Sequence, residues 1–312
     1  MLRFIFRRFL MLIPVIIGSS MIIFFILSLA KEDPVMMLLA GTDPDELTIE
    51  LTRIELGLDK PLLVQFGNYM LGLLRGDLGN SYRTGNSVFQ EYMLRFPATL
   101  YLAFGAFFMS VVIAIPLGIV SATRQYSVFD NVGVVFSLVG VSMPNFWLGL
   151  LLLIAFAVNL RWLPAGGYGG LRHLILPAFT IATNNFALIT RITRSSMLEV
   201  IRQDYIRTAR AKGLAEQVII YKHALKNALI PIITVLGSQF GLMMGGAVLT
   251  ETIFSWPGVG RLMMDGINKR DRPIVIGCVV LLSIMISLVT LLVDVLYTYA
   301  DPRVKTSMVK RK

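Results

Sequence analysis

Residues 98–122 read ATLYLAFGAFFMSVVIAIPLGIVSA, a run of twenty-five positions without Asp, Glu, Lys or Arg. A membrane helix needs about 20 mostly apolar residues, because each residue rises about 1.5 Å through a hydrocarbon layer about 30 Å thick. This stretch is long enough to cross. Five other segments read the same way: Phe9–Ala30, Val132–Asn159, Ile175–Thr190, Leu229–Thr250 and Ile274–Thr298. Ile175–Thr190 is short and carries Thr180, Thr183, Asn184 and Asn185, so it is expected to face protein or a polar cavity rather than lipid. The spacing predicts an all-α polytopic membrane protein with six transmembrane helices.

Composition agrees. The 312 residues are 55% hydrophobic and 15% charged, with mean hydropathy +0.71, against about 45–50% apolar and about 25% charged in soluble domains. So much apolar surface has no place inside soluble cores of this size. The basic start, Arg3, Arg7 and Arg8, followed by Ser28-Leu29-Ala30, has the layout of a signal peptide. The apolar run between them is longer than the roughly 7–15 residues of a signal core, so the segment is read as a retained anchor. One cysteine, Cys278, excludes an intramolecular disulfide framework, and two histidines, His173 and His223, leave too few ligands for a Cys/His metal site. Cys278 is read as an apolar filler. Gly18-Ser19-Ser20 offers a serine inside the first span, but no histidine falls within a confident span to serve it.

The net charge of +10 is unevenly placed. Lys and Arg number 17 against 6 acidic residues in the N-terminus and the alternate connecting segments that share its side, and 12 against 13 in the others. The positive-inside rule then puts both termini in the cytoplasm. Membrane topology accounts for the basic excess, and no basic groove with interleaved aromatics suggests nucleic acid. The chain divides into a basic segment with the first span (1–30), an external region (31–97), a core of five spans (98–298) and a basic tail (299–312). Within the external region, turn signals at Asp33-Pro34, Asp43-Pro44 and Asp59-Lys60-Pro61 frame helices over 45–56 and 62–74, a small ordered cap. No internal repeat or low-complexity tract is evident.

The connecting segment 191–228 holds eight basic residues. Residues 196–212 read as one helix, with Met197, Ile201, Tyr205 and Ala209 on one stripe; Gly213 interrupts it. A second helix over 215–228 would set Val218, Tyr221, Leu225 and Ala228 on one side and Lys222, His223, Lys226 and Asn227 on another. Two short helices around a glycine form an elbow. On pattern alone it is either a basic hairpin on anionic lipid or a docking element that passes motion to the spans, since a packed helix moves as a unit.

Asp204-Tyr-Ile-Arg-Thr-Ala-Arg-Ala-Lys-Gly-Leu214, followed by His223-Ala-Leu-Lys-Asn-Ala-Leu-Ile-Pro231, resembles the cytoplasmic loop of permease subunits in bacterial ABC importers for dipeptides, oligopeptides and nickel. The resemblance extends over almost the whole chain: Leu56-Gly-Leu-Asp-Lys-Pro61, Gly76-Asp-Leu-Gly79 with Ser81, Arg95-Phe-Pro-Ala-Thr99, Ser142-Met-Pro-Asn145, and Glu251-Thr-Ile-Phe-Ser-Trp-Pro-Gly-Val-Gly-Arg261. Their order and spacing together make the match specific. Aligned on Gly213, the superfamily's Glu-Ala-Ala is Arg207-Thr208-Ala209 here, so a salt bridge made by that glutamate in other branches does not carry over.

The resemblance implies a type I ABC importer permease fold with an extracytoplasmic insertion after the first helix. It implies that Tyr205, Arg207, Thr208, Ala209, Lys212, Gly213, Leu214, His223 and Asn227 form a coupling helix and its surroundings, seated on an ATP-binding subunit. Implied partners are a second homologous permease, two ATP-binding subunits that hold ATP and Mg, and an extracytoplasmic substrate-binding protein. The cargo would be a dipeptide, oligopeptide or glutathione-like peptide, with nickel or a metallophore as the alternative. The chain has no Gly-Lys dipeptide, hence no Walker A loop, and is read as neither an enzyme nor a cofactor carrier. A secondary transporter or channel acting alone is the reading from another class; it lacks an ionisable pair inside the spans to couple ion flow.

Candidate pathway and packing residues are fewer. Gly237, Gly241 and Gly245 lie four apart on one face, where small residues admit a close helix: either packing within the bundle or a seam against the partner permease near Gln239, Met243 and Met244. Asn145, Asn184 and Asn185 are polar groups near membrane depth, either bonded to neighbouring helices or lining the pathway. Asp294 is read as a helix-end ion pair with Arg303 or Lys305.

Overall fold

The computed structural model describes residues 2–29, 34–39, 44–128, 130, 140 and 142–300. Among these residues the chain is helical, and an isolated bridge between Asn80 and Ser87 is the one β contact. The helices are α1 (Leu2–Ser28), α2 (Pro34–Leu38), α3 (Glu46–Glu55), α4 (Leu62–Leu74), α5 (Val88–Thr123), α6 (Asn145–Leu152), α7 (Leu171–Ile201), α8 (Asp204–Ala211), α9 (Glu216–Val218), α10 (Leu225–Ile253), α11 (Val259–Asn268) and α12 (Arg272–Ala300). Wide π-helical turns follow α6, at Leu153–Asn159, and α9, at Ile219–Ala224. Among the described residues, five helices are long and apolar enough to cross a membrane: Leu10–Ser28, Val88–Thr123, Leu171–Ile201, Glu216–Ile253 and Arg272–Val293.

The expected third span is not one uninterrupted helix. Most of its first part, 132–139 and 141, lies outside the described residues. A break at Met143-Pro144 then precedes the apolar stretch Asn145–Asn159. Proline has no N–H to donate and disfavours helical geometry in the residue before it. The second span starts earlier than expected, at Val88 rather than Ala98, so Arg95-Phe96-Pro97 is already helical. The fourth, expected to be short, runs 31 residues. The two helices read in the external region form close to their predicted bounds, as α3 and α4. The ion pair expected of Asp294 lies outside the described side chains.

The described residues form two compact units. One comprises residues 1–99 and 257–287. Its core gathers Leu78, Val88, Tyr92, Val259, Leu262, Ile274, Cys278 and Leu281, so Cys278 does fill an apolar core. Two polar ties hold long-range segments together. Thr99 Oγ1 accepts from Val259 N at the start of α11 (2.8 Å). Buried Asp271 caps α12 and accepts from the Ser81 hydroxyl and, at 3.2 Å, from Tyr82 N. Phe66 of α4 packs on Phe24 and Phe25 of α1.

The other unit comprises residues 100–256 and 288–312. Its centre is α7, the least apolar of the five spans and the most enclosed, with 67% of its most apolar stretch buried. The expectation that this span faces protein is met. Threonines line it, and glycines from neighbouring segments meet them: Gly149 opposes Thr180, Gly140 opposes Thr183, and Gly118 opposes Thr190 and Thr193. A β-carbon at Gly118 would collide with Thr193 and the Thr190 carbonyl. Thr180 and Thr183 donate to carbonyls one turn back, both at 2.8 Å, and Thr190 donates to the Ala114 carbonyl of α5 (3.3 Å). These bonds let polar side chains sit in an apolar interior.

The end of α5 is tied to α7 by charge. Asp130 is buried and accepts from Arg194 Nε (3.1 Å) and Nη2 (3.0 Å), from the Ser121 hydroxyl and from Tyr126 N (3.1 Å). The Arg194 guanidinium, helped by the other two donors, holds the carboxyl at about 2, below its ordinary 3.8. Asp130→Ala should lower the unfolding free energy by about 2–3 kcal/mol at pH 7, since it removes a charged, forked contact and strands Arg194. With a folded-state pKa below the unfolded one, the stabilisation is complete above about pH 4 and fades as pH falls towards 2. Denaturation in detergent should therefore show wild type and variant converging on acidification; a gap that widens instead would contradict this assignment.

Candidate functional site: an exposed elbow between two spans

Helix α7 stops at Ile201, and the chain turns at Arg202-Gln203 before α8 begins. The expected single helix over 196–212 is thus two: its first part completes α7, and its second part is α8. The break changes which residues are covered. Met197, Ile206 and Ala209 are buried, whereas Tyr205, expected on the inner stripe, is 45% exposed. Helix α8 ends in a Schellman motif. Gly213 N donates to the Arg210 carbonyl (2.9 Å) and Leu214 N to the Ala209 carbonyl (3.4 Å), with Gly213 at φ +75°. Glycine adopts this left-handed geometry without the steric cost a β-carbon incurs.

The second arm also departs from expectation. Residues 215–228 do not form a separate helix; they continue through the π-helical turn into α10 as one long span. The buried positions are Ile219, Ala224 and Ala228, while Val218 and Tyr221 are exposed. A π-turn closes i→i+5 bonds, so Ile219 and Ala224, five apart, lie one above the other. A uniform 3.6-residue period misplaces this face.

Two contacts brace the arms. Arg210 donates to Glu216 through Nη2–Oε1 (2.6 Å) and Nε–Oε2 (3.1 Å), a fork across the glycine. Both side chains are solvent-accessible, so the pair adds geometric definition more than stability. Asn227 Nδ2 donates to the Tyr205 hydroxyl (3.0 Å) and to the His223 carbonyl (2.9 Å), joining α8 to the base of α10. Residues 210–218 are all exposed. The elbow is shaped from within and covered by nothing else in the chain among the described residues. Of the residues expected here, Tyr205, Ala209, Gly213, Leu214, His223 and Asn227 take part in its internal structure, Arg207 pairs loosely with Asp204 (3.8 Å), Thr208 bonds the Asp204 carbonyl, and Lys212 is exposed at the tip. Arg210, Glu216 and the Asp130–Arg194 pair were not singled out by sequence; opposite charges six apart around a glycine were the available signal for the first pair.

The other candidates lie elsewhere in the same unit. Gln239 Nε2 donates to Asn185 Oδ1 (2.6 Å) and so joins α10 to α7; Asn185 is buried, while Asn184 is exposed. Asn145 begins α6, and its Oδ1 is enclosed without a hydrogen-bond partner among the described residues. Gly237 faces Val293 of α12, where a β-carbon would collide, and Gly241 is buried. Met243 and Met244 are buried inside the chain rather than on an open surface. Among the described residues no cluster of His, Cys, Asp or Glu is fit to hold a metal.

The elbow is thus exposed, braced from within and set between two long apolar helices. The family described as binding-protein-dependent transport system inner membrane component matches residues 114–306, and its N-terminal counterpart matches residues 1–103. The chain belongs to this family. It is a multi-pass protein of the inner membrane and the permease component of an ABC importer. It is 43% identical over 333 aligned positions to the dipeptide transport system permease protein DppB of Alkalihalophilus pseudofirmus, covering 98% of this chain and 100% of the relative. It is 40% identical to the glutathione transport system permease protein GsiC of Pectobacterium atrosepticum, covering 98% and 99%. Among solved structures, an inward-facing form of the MetNI methionine ABC transporter superposes with TM-score 0.56 at 18% identity, covering 68% of this chain and 97% of that one. The likeness shows the type I importer permease fold.

The glycine at the bend of this permease generates a direct test. Gly213→Val forces a β-branched residue into left-handed geometry at a cost of about 1–2 kcal/mol. It should open the elbow and speed tryptic cleavage at Arg210 and Lys212. Gly246→Ala, in a helix where an added β-carbon meets nothing within 4 Å, should leave the cleavage rate unchanged.

Proposed function

We propose that this chain is one of two permease subunits of an ATP-driven importer for small peptides, forming half of the translocation pathway. The similarity along nearly the full length to dipeptide and glutathione permeases carries this reading. In it, six spans cross the membrane with both termini in the cytoplasm, and the region after α1 faces outward to receive an extracytoplasmic binding protein. A homologous permease completes the pathway. Two ATP-binding subunits supply ATP and Mg, since this chain has no phosphate loop of its own.

The elbow is the coupling element. Tyr205, Arg207, Thr208, Lys212, Gly213 and Leu214 seat on an ATPase subunit, buried Ala209 supports them from beneath, and His223 and Asn227 anchor the element to α10. Closure of the ATPases draws the elbow with it as a rigid unit, because the fork and the Tyr205–Asn227 bond resist bending. The motion passes directly into α7 and α10, the helices at its two ends. Asn184, Asn145, Gln239 and the α10 surface at Gly245 are assigned to the pathway and the seam with the partner permease, with buried Gly241 left to packing within the chain. An independent channel or secondary transporter is the poorer reading, because the family takes its description from dependence on a binding protein.

The assembled importer, reconstituted in liposomes with its binding protein, should take up a radiolabelled dipeptide only with ATP. Gly213→Trp should leave insertion and ATP hydrolysis intact and reduce peptide moved per ATP at least about tenfold, a coupling loss on the order of 1.4 kcal/mol. Uptake by the purified chain alone along an ion gradient would sink the importer assignment; undiminished uptake by Gly213→Trp would sink the role given to the elbow.

A further inference from the structure

A groove of about 960 Å³ runs between the C-terminal half of α5 and the elbow. Ile113, Pro116, Leu117 and Val120 of α5 form one wall, and Ile220 and Tyr221 the other. Arg124, just beyond the end of α5, and Arg210, in the elbow, are the basic residues of its lining, against a single Glu216. The groove lies wholly within one compact unit. Its volume is within the range of about 300–1,000 Å³ typical of ligand pockets; its polar side chains, Thr123, Arg124, Arg210, Glu216, Gln217 and Tyr221, gather where α5 ends and in the elbow, and the rest of the α5 wall is apolar.

We infer that this groove holds an anionic phospholipid, with an acyl chain along α5 and the phosphate at Arg124. Length and polarity argue for this occupant together. From Ile113 to Arg124 a helix rises about 16 Å, close to the roughly 15 Å of hydrocarbon in one leaflet. The apolar wall thus covers the depth of an acyl chain and ends in a guanidinium where a headgroup begins. A guanidinium presents five N–H donors and grips phosphate oxygens in pairs. The acyl chain gains little on leaving other lipid tails, since these are equally apolar; selection therefore rests on headgroup charge. Because Arg210, Glu216 and Tyr221 belong to the elbow and Ile113 to Val120 belong to α5, a lipid seated here touches both the docking element and a span. The inference needs only that the chain lies in a membrane; it stands whether or not the elbow docks an ATPase.

The intact importer, in nanodiscs of equal phosphatidylglycerol and phosphatidylcholine, should be labelled with each lipid carrying a photoactivatable acyl chain, and the labelled peptides mapped by mass spectrometry. Phosphatidylglycerol should label the 113–124 peptide about fivefold more than phosphatidylcholine, the factor expected for one basic residue acting on an anionic headgroup. Arg124→Gln should bring the ratio near one, and Val120→Trp, which fills the groove, should abolish labelling by both lipids. Equal labelling by the two lipids in the unaltered protein would overturn the inference. So would labelling that survives Val120→Trp, or a cross-link from this groove to a peptide of another subunit in place of lipid.

Discussion

Hydrocarbon offers a backbone no hydrogen-bonding partners, so a chain that crosses it must satisfy its own amides, and in a single polypeptide without closed sheets that means helices. The structure depends on how this constraint is met at α7, the least apolar span. Its threonines bond to carbonyls within the helix or on α5, and glycines of neighbouring segments bring those backbones close enough for dispersion to act without a hydrophobic driving force. The polar character of α7 is therefore a packing device. It binds α5, α6 and α10 around one helix, and that helix leads directly into the elbow.

The spans were legible because hydrophobic length is a strong signal. Leu10–Ser28, Arg272–Val293 and much of α10 fall where the apolar runs predict. What escaped sequence reading has identifiable physical causes. The start of α5 was missed because Val88–Pro97 contains Glu91, Arg95 and Pro97, yet Glu91 and Arg95 pair one turn apart (3.7 Å) and the helix continues through the proline. The elbow's buried face was misplaced because a π-turn departs from the 3.6-residue period on which the stripe was counted.

Candidate residues divide along the same line. Gly213 was readable, since a glycine just past an amphipathic helix is a stop signal whatever the tertiary context. Gly118 and Gly149 were not, because each matters through a threonine far away in sequence. Gln239 and Asn185 were picked out as lone polar groups and are found bonded to each other, a pairing that neither helix pattern encodes. Asp130, an ordinary loop residue by sequence, acquires its burial from Arg194 sixty-four positions on.

The wide turn at Ile219–Ala224 can be viewed as a stored insertion. A π-turn holds one residue more than the α-helical turn it replaces, without breaking the helix that contains it. Were one residue lost there, the turn could relax to ordinary geometry and the helix on either side would keep its facing, whereas the same loss from a uniform α-helix would rotate everything beyond it by about 100° about the axis. The wide turn thus lets the span carry an extra residue without changing the direction in which the elbow faces.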